Sequence, residues 1–358
     1  MKIAFFTRNA NFAGELLEEL GAHHTVRQWR HVNDAESLNW VNIMGYLDWC
    51  DLAFFEFVQR PLPAVTRLQL KPACPIVARG HSLDIIGNHD QIDWRRVSGL
   101  IIPPTQMKRV NLMRKTWAAA HPGQYQPPLP EKILQRYVGV NLEKVPPAVD
   151  RDPGYNIILH ATVIYDVKRV YLALQCFYDL LQRNPLKPWH LTIIGQWRGG
   201  YQWPARSTYV LCVDELIDDL GIPPDRLTII KDNLPWADWI DLLHQQDIYW
   251  CLSYRESFGV SIAEAAASGV YPLVNHYYGA ELVWPERNLC RSPSELVRKT
   301  IQWGNRPSVL LGVEGNPLPG RKIQLRENIR MHVEKYDSRV INREIRKFCE
   351  QILEEFSS

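Results

Sequence analysis

The chain has 358 residues, of which 46% are hydrophobic and 22% are charged, so collagen-like and wholly disordered chains are excluded. At about 100–200 residues per domain, this length favours two domains. Lys and Arg number 41 against 39 Asp and Glu, and this net charge of +2 indicates no nucleic-acid partner.

Short apolar runs, each bounded by polar or turn residues, predict strands along the whole chain. They are 3–6, 52–57, 75–78, 100–102, 157–159, 191–194, 227–230, 248–252 and 271–274. Runs of this length that are apolar on both faces are typical of parallel strands covered by helices on each side. Between them, Val170–Leu181 carries an apolar stripe at helical spacing. The alternation predicts an α/β fold with two doubly wound parallel-sheet domains.

Proline and glycine mark the domain join, because residues 145–154 contain three prolines and a glycine. We therefore expect an N-terminal, acceptor-side Rossmann-like domain over 1–148 and a C-terminal Rossmann-like domain over 149–320. A helical tail over 321–358 should pack across or back onto the N-terminal domain. Its apolar residues at helical spacing are Ile341, Ile345, Phe348 and Ile352.

Several motifs are absent from the sequence. The first strand is not followed by G-x-G-x-x-G, and no P-loop, H-E-x-x-H or G-x-S-x-G occurs. Asp150-Arg-Asp152 has the D-x-D form of metal-dependent sugar-nucleotide enzymes, but it lies in the proline-rich join and not at a strand end. The seven cysteines form no C-x-x-C pair. We expect no metal, no disulfide framework and a cytoplasmic location.

The segment 248–274 carries the chemistry and reads as strand, loop, helix, turn and strand. The helix is predicted to begin near Ser257 or Phe258 and to end at Gly269 as a left-handed cap. Glu256 falls at the carboxyl end of the strand, where open α/β sheets bind ligands. Glu264 lies about two turns along the helix.

The start of this helix predicts an anion site. Backbone N–H groups around Phe258, Gly259 and Val260 point out of the first turn, and the glycine permits close approach of a phosphate or sugar. Acidic residues beside an anion site suit a ligand that has both hydroxyl groups and phosphate. A phosphorylated sugar has both.

Arg255-Glu-Ser-Phe-Gly259, with Glu256 and Glu264 in an E-x7-E pattern, resembles the signature of retaining glycosyltransferases of the GT-B fold, most like glycosyltransferase family 4. Other segments follow in the family's order. Residues 134–143 are similar to its "IPNGVD" strand end, 157–173 to its "GRL…KG" segment, 191–195 to its "L-x-I-x-G" strand and 280–283 to its "PEIV" turn. The resemblance implies two Rossmann-like domains that face a central cleft.

The resemblance also implies roles for single residues. Glu264 would bind the ribose hydroxyls of the donor nucleotide, and Glu256 would contact hydroxyls of the transferred sugar. Lys168 would pair with the diphosphate, with Arg169 as the alternative. His81 would lie across the cleft near the sugar. Further donor contacts are implied at Ser257, Phe258, Gly259 and Val260, and at Asn233 in the loop that holds the base.

Each role has a structural alternative. His81 has the position of an ordinary loop histidine, and Glu264 that of an acid on a helix surface. The family's arginine, five residues before the lysine, is replaced by Val163, and Arg198 is a candidate to supply the missing charge.

The implied function is a retaining, hexosyltransferase-type reaction that uses a UDP- or GDP-sugar, with no cofactor and no metal. The acceptor is a glycan, a lipid-linked molecule or a small molecule. Two alternatives remain open. One is a sugar-nucleotide or glycan-binding subunit without turnover, and the other is a sugar-nucleotide 2-epimerase.

A basic helix is predicted over Pro104–Ala118, with positive charges at Lys108, Arg109, Arg114 and Lys115. One interpretation is weak peripheral contact with an anionic membrane or a phosphorylated glycan. The alternative is a solvated face whose apolar residues pack on the sheet.

Overall fold

The computed structural model describes residues 1–7, 13–30, 38–68, 73–81, 83–124, 128–146, 154–197, 204–305 and 322–358. The chain forms two compact units, which we call unit 1 (Met1–Gly139 with Tyr336–Ser358) and unit 2 (Val140–Lys335). Each unit contains a parallel sheet of six strands. The predicted domain boundaries at 148/149 and 320/321 fall outside the described residues.

The strands are β1 (Lys2–Thr7), β2 (Thr25–Arg30), β3 (Leu52–Glu56), β4 (Ile76–Arg79), β5 (Gly99–Ile102), β6 (Ile133–Gln135), β7 (Asn156–Val163), β8 (His190–Gln196), β9 (Leu227–Ile230), β10 (Ile248–Cys251), β11 (Tyr271–Asn275) and β12 (Leu289–Cys290). The helices are α1 (Gly14–His23), α2 (Trp40–Trp49), α3 (Leu62–Thr66), α4 (Leu83–Asn88), α5 (Pro104–Ala120), α6 (Val170–Arg183), α7 (Pro204–Leu220), α8 (Trp236–His244), α9 (Val260–Ala267), α10 (Pro293–Asn305), α11 (Lys322–Val333) and α12 (Ser338–Ser357).

In unit 1 the strand order is β2-β1-β3-β4-β5-β6. Successive side chains of each strand point to opposite faces, which explains why the predicted runs are apolar throughout. Phe5 stacks on Phe54 on one face, at 4.9 Å between ring centroids, and Phe6 stacks on Phe55 on the other, at 4.5 Å.

Helix α12 belongs to unit 1 and covers the face of Phe5 and Phe54 with Ile341, Ile345, Cys349 and Ile352. Gly99 of β5 allows this packing, because a Cβ there would lie 2.9 Å from the ring of Phe348. An ion pair of 2.8 Å between Arg346 and Glu19 ties α12 to α1. The last helix is therefore part of the unit 1 core.

In unit 2 the order is β12-β11-β10-β7-β8-β9. The chain leaves β7 towards one edge and returns at β10 on the other side of β7, so the topological switch point lies between these two strands. Ligands of open parallel sheets bind at the carboxyl ends of the strands at such a point. A Cβ on Gly195 of β8 would lie 1.8 Å from the carbonyl oxygen of Ala161, so β7 and β8 approach closely only with glycine there.

The predicted fold class is confirmed, and every apolar run singled out above overlaps a strand and extends beyond it by no more than one residue. The structure adds β2, β6 and β12, all of which lie at sheet edges. β2 alternates between exposed and covered residues, and the other two have only three and two residues. An edge strand has a neighbour on one side only, so its sequence need not form a continuous apolar run.

The packing of α12 generates a stability prediction. Ile345 is fully buried, whereas Val340 on the same helix is 49% exposed. Ile345→Ala should lower the free energy of unfolding of unit 1 by about 2–5 kcal/mol, since it removes buried methyl groups and leaves a cavity. Val340→Ala, the matched control, should change it by less than about 1 kcal/mol. Urea denaturation followed by circular dichroism measures both, and equal effects would contradict this packing.

Candidate functional site

Two loops at the switch point of unit 2 are tied together by hydrogen bonds. One is a short 3-10 turn, Asp166–Lys168, that follows β7, and the other is the loop that follows β10. The backbone N–H of Tyr254 donates to the carbonyl oxygen of Val167 at 3.2 Å. Its hydroxyl donates to Oδ2 of Asp166, also at 3.2 Å. The residues that follow the two strands are thereby held side by side.

Lys168 and Glu256 meet at this junction. Nζ of Lys168 donates to Oε1 of Glu256 at 2.6 Å, and the two side chains are only 18% and 16% exposed. Burial alone would lower the pKa of Lys168, but the nearby charge of Glu256 and its hydrogen bond outweigh burial and raise the pKa. The ammonium therefore keeps its charge at neutral pH, as a group that stabilises a phosphate must.

Helix α9 begins at Val260, two to three residues later than the sequence predicts. The prediction of a start near Ser257 or Phe258 is wrong because Gly259 is left-handed, with φ at 83° and ψ at 70°, and cannot continue a helix. A Cβ at Gly259 would meet the Ile262 side chain at 2.5 Å, so glycine is required there.

The other end of α9 agrees with the sequence. The helix ends at Ala267, and Gly269 is left-handed with φ at 75°, which confirms the predicted cap. At the start, the N–H group of Ile262 donates to the carbonyl oxygen of the cap residue Gly259 at 3.0 Å, and the N–H groups before it have no acceptor within an α-helix. Their use as an anion site stays a prediction.

Glu264 lies on α9 and is not a solvated surface acid. Its side chain is half-buried, and Oε2 accepts a hydrogen bond of 2.8 Å from the indole Nε1 of Trp239. Trp239 lies on the buried face of α8 and is 6% exposed. Its ring packs on the imidazole of His160 within β7, with 4.8 Å between the ring centroids.

His160 is a buried histidine that the sequence analysis did not select. Burial, followed by the charge of Lys168, lowers its pKa to about 4, although a hydrogen bond with the Asn233 side chain and the charge of Glu256 act in the opposite direction. Its Nδ1 is buried and has no hydrogen-bond partner among the described residues. The ring is therefore neutral at pH 7, packs against Trp239 and is subject to the charges of Lys168 and Glu256.

The remaining predicted donor contacts are placed as follows. Asn233 is exposed in the loop before α8, and Phe258 is buried while Ser257 and Val260 are half-buried. Arg169 adopts the left-handed conformation, with φ at 53°, and precedes the first residue of α6. It lines a surface pocket with Leu252 and Ser292, among others. Arg198 lies outside the described residues. No described residue is therefore assigned to supply the positive charge that is missing at Val163.

In unit 1, His81 follows β4 and contacts Glu56 at the end of β3. Nε2 of His81 lies 2.6 Å from Oε1 of Glu56, and Nη1 of Arg79 lies 3.4 Å from the same oxygen. All three residues are buried. The backbone N–H of His81 donates to Asp84, at 3.1 Å to Oδ1. His81 is thus held by one contact to its ring and by another to its main chain.

The charge of Glu56 fixes the tautomer of His81. Burial alone would raise the pKa of Glu56, but interactions with Arg79 and His81 outweigh it and hold the pKa below its ordinary value. An ionised carboxylate only accepts hydrogen bonds, so Nε2 of His81 carries the proton in this contact. The sequence analysis missed Glu56 and Arg79, because they end strands and look like ordinary polar strand ends.

Within the described part of the chain, no group of three or more His, Cys, Asp or Glu side chains could hold a metal ion. Asp150 and Asp152 lie outside it. Among the described helices, none is long and apolar enough to cross a membrane. The described cysteines form no disulfide, and all except Cys212 are buried.

Residues 143–288 match the family described as glycosyl transferases group 1. No curated protein matches the sequence. Several solved structures match almost the whole chain. Sucrose-phosphate synthase from Thermosynechococcus elongatus has a TM-score of 0.69 and 13% identity, and the match covers 99% of this chain and 100% of that one.

A UDP-forming α,α-trehalose-phosphate synthase from Burkholderia xenovorans has a TM-score of 0.71 and 11% identity, over 98% of this chain and 99% of that one. The HepE protein of Anabaena, solved in complex with UDP and glucose, has a TM-score of 0.67 and 14% identity, over 98% and 100%. At these identities the likeness shows the fold. The two parallel sheets with their flanking helices are a GT-B architecture.

His160 generates a pH prediction. In an unfolded chain its pKa returns to about 6.5, so His160 favours the unfolded state as pH falls from about 6.5 towards 4. NMR titration of labelled histidine, with the signal assigned by its loss in His160→Gln, should give a pKa of about 4 in the folded protein. Lys168→Met should raise this pKa, since it removes a neighbouring positive charge. A wild-type pKa near 6.5 would contradict the buried position.

Proposed function

We propose that this protein is a retaining glycosyltransferase that moves a hexosyl group from a UDP- or GDP-sugar to an acceptor hydroxyl, without a metal ion. The observation that carries the proposal is the Lys168–Glu256 pair, at 2.6 Å, beside the first turn of α9 at the switch point of unit 2. This pair lies within the segment that matches the glycosyl transferases group 1 family.

The charges suit departure of a diphosphate. When the bond between the anomeric carbon and the diphosphate oxygen breaks, negative charge grows on the phosphate and the sugar takes oxocarbenium character. Lys168 and the N–H groups at the start of α9 would stabilise that negative charge. One such fixed electrostatic contact typically lowers the barrier by about 3 kcal/mol.

Retention then needs no nucleophilic side chain. The acceptor hydroxyl attacks the anomeric carbon from the face that the diphosphate leaves, and its proton passes to a leaving phosphate oxygen. One carbon–oxygen bond breaks, one forms, and the nucleoside diphosphate leaves with the proton. Glu256, held by Lys168, would contact hydroxyl groups of the transferred sugar.

The nucleoside would be held by Glu264 through its ribose hydroxyls and by the loop of Asn233 through its base. In unit 1, we assign His81 to the transferred sugar and Glu56 to holding its ring, on the basis of their 2.6 Å contact. Arg169 is the alternative phosphate contact.

One observation favours a second candidate function. Val163 replaces the family's arginine, which leaves Lys168 with less positive charge around the diphosphate. A subunit that binds sugar nucleotides or glycans without turnover would tolerate that loss. The 2-epimerase alternative would show itself by an altered donor sugar with no acceptor consumed.

Incubation with a panel of UDP- and GDP-sugars tests the proposal, with nucleotide release measured with and without glycan and lipid-linked acceptors. Acceptor-dependent release of UDP or GDP is expected. Binding of a nucleotide sugar without release in any combination would favour the non-catalytic subunit, and conversion of the donor sugar alone would favour the epimerase.

Substitution of the two glutamates should separate binding from transfer. Glu264→Ala should weaken binding of UDP or GDP roughly 10- to 100-fold, because a hydrogen bond to a charged group typically contributes about 1.5–3 kcal/mol. Glu256→Ala should leave nucleotide binding nearly unchanged and abolish transfer. Calorimetry and turnover assays measure these effects, and normal turnover by Glu256→Ala would show that the sugar is placed wrongly.

The absence of metal from this mechanism predicts that EDTA leaves activity unchanged, since Lys168 and backbone N–H groups neutralise the leaving diphosphate. Turnover is measured before and after chelation and dialysis. Activity that is lost with EDTA and restored by Mn²⁺ or Mg²⁺ would point to Asp150 and Asp152 instead.

The acceptor side is proposed from α5. Lys108, Arg109 and Arg114 are half-buried and Lys115 is exposed, while Val110 of the same helix is buried and Leu112 is exposed. We propose that these cations give weak contact with an anionic membrane that carries a lipid-linked acceptor. Each cation near such a surface contributes only about 1 kcal/mol, so binding should be weak and sensitive to salt.

Liposome flotation tests this contact at low and high salt. The wild type should float with anionic vesicles at low salt only, and a variant with Lys108, Arg109, Arg114 and Lys115 all changed to Ser should not float. Equal behaviour of the two proteins would leave a solvated helix face as the better account.

A further inference from the structure

We propose that Trp239 and His160 are positioning residues of a ribonucleoside subsite, which orient Glu264 towards the 2′,3′-diol of the donor nucleotide. This inference rests on the proposed function and extends it to two residues that neither the motif nor the family match assigns. It is carried by a chain of three side chains from three different elements: Glu264 on α9, Trp239 on α8 and His160 on β7.

The first contact is between Trp239 and Glu264. The indole Nε1–H donates to Oε2 of the carboxylate at 2.8 Å, a good length for a hydrogen bond to a charged acceptor. An indole has a single donor and no acceptor. Trp239 therefore holds the carboxylate without accepting a hydrogen bond from a ligand hydroxyl. A carboxylate has about four acceptor positions, so the indole bond does not by itself prevent the carboxylate from accepting hydrogen bonds from a diol.

The second contact holds Trp239 itself. His160 is part of β7, and its ring packs against the indole with 4.8 Å between centroids and 36° between planes. Trp239 therefore rests on a central strand of the sheet and not on a loop. The carboxylate of Glu264 is therefore linked, through the indole, to a central strand of unit 2.

The buried Nδ1 of His160 indicates that this residue does more than fill space beside Trp239. A phenylalanine would fill the space beside Trp239 without a buried nitrogen, whereas Nδ1 of His160 is buried with no partner among the described residues. Such an atom is unfavourable to the fold and needs an explanation. The side chain of Asn233, in the loop assigned to the base, also acts on the imidazole and raises its pKa. One ring thus links the residues assigned to base and ribose.

The charges of Lys168 and Glu256 both act on His160, in opposite directions, and the ring is neutral at pH 7. A neutral imidazole does not repel Lys168, which is assigned to the diphosphate. His160 thus lies among the residues proposed for base, ribose and diphosphate, and a ribonucleoside diphosphate is the ligand class that would contact all of them. Neither Trp239 nor His160 needs to touch the reacting atoms.

The experiment compares Trp239→Phe with a matched control, Trp236→Phe, at the 44% exposed first residue of the same helix. Calorimetry with UDP, GDP and their 2′-deoxy forms measures affinity, and steady-state kinetics separates KM from kcat. For the nucleotide that the wild type binds, Trp239→Phe should lower affinity about 3- to 10-fold, the range for loss of one orienting hydrogen bond. It should reduce the preference for ribose over deoxyribose, raise KM and keep kcat within about twofold. Trp236→Phe should match the wild type.

A double-mutant cycle tests whether Trp239 acts through Glu264. In a Glu264→Ala background, Trp239→Phe should cause no further loss of affinity. An equal loss in both backgrounds would overturn the proposal, and so would a folded Trp239→Phe protein with wild-type affinity and ribose preference. His160→Phe, which keeps a ring against Trp239, should also lower affinity without lowering kcat, and it carries the test if Trp239→Phe does not fold.

These outcomes are separable from failure of the proposed function. A wild-type protein that binds none of the nucleotides would overturn both proposals. A wild-type protein that binds and turns over a nucleotide sugar, together with unaffected Trp239→Phe and His160→Phe variants, would overturn only the positioning role.

Discussion

The ion pair between Lys168 and Glu256 joins the loops that follow β7 and β10, and the proposed chemistry depends on it. Both side chains are mostly buried, so neither charge is well solvated, and removing one partner would leave the other charge poorly compensated. A diphosphate that enters beside Lys168 offers a second anion to the same ammonium. Donor binding would then divide the lysine between phosphate and Glu256, and the sugar hydroxyls would take up the acceptor capacity of Glu256.

In each unit, a carboxylate at or beyond the end of one strand holds a side chain that follows a neighbouring strand. In unit 1 the carboxylate of Glu56, at the end of β3, fixes the imidazole of His81, which follows the neighbouring strand β4. In unit 2 the carboxylate of Glu256 fixes the ammonium of Lys168, and β7 and β10 are again neighbours. Parallel strands end at the same edge of a sheet, so residues distant in sequence meet there.

Sequence alone predicts much of this arrangement. The apolar runs locate the central strands because those strands are covered on both faces, and Gly269 locates the end of α9 by its left-handed cap. The edge strand β2 is missed because half of its residues face solvent. The start of α9 is missed because the sequence does not show that Gly259 is left-handed.

The contacts that surround the predicted residues are harder to predict. Glu56 is 25 positions from His81, and Trp239 is 25 positions from Glu264. No local spacing links such pairs, because they meet only through the register of neighbouring strands and the packing of α8 beside α9. His160 leaves a weak signal as a histidine directly after the apolar run 157–159, but its burial against Trp239 follows from the tertiary structure alone.

The central claim is that Lys168 binds the donor diphosphate and that Glu256 holds the Lys168 ammonium in place. Calorimetry of Lys168→Met against the wild type tests it most directly, with the nucleoside diphosphate that binds and the corresponding free nucleoside as ligands. The account predicts that Lys168→Met loses at least about tenfold in affinity for the diphosphate, the equivalent of one charge-assisted hydrogen bond, and keeps its affinity for the nucleoside. Equal affinity of the two proteins for the diphosphate would contradict it.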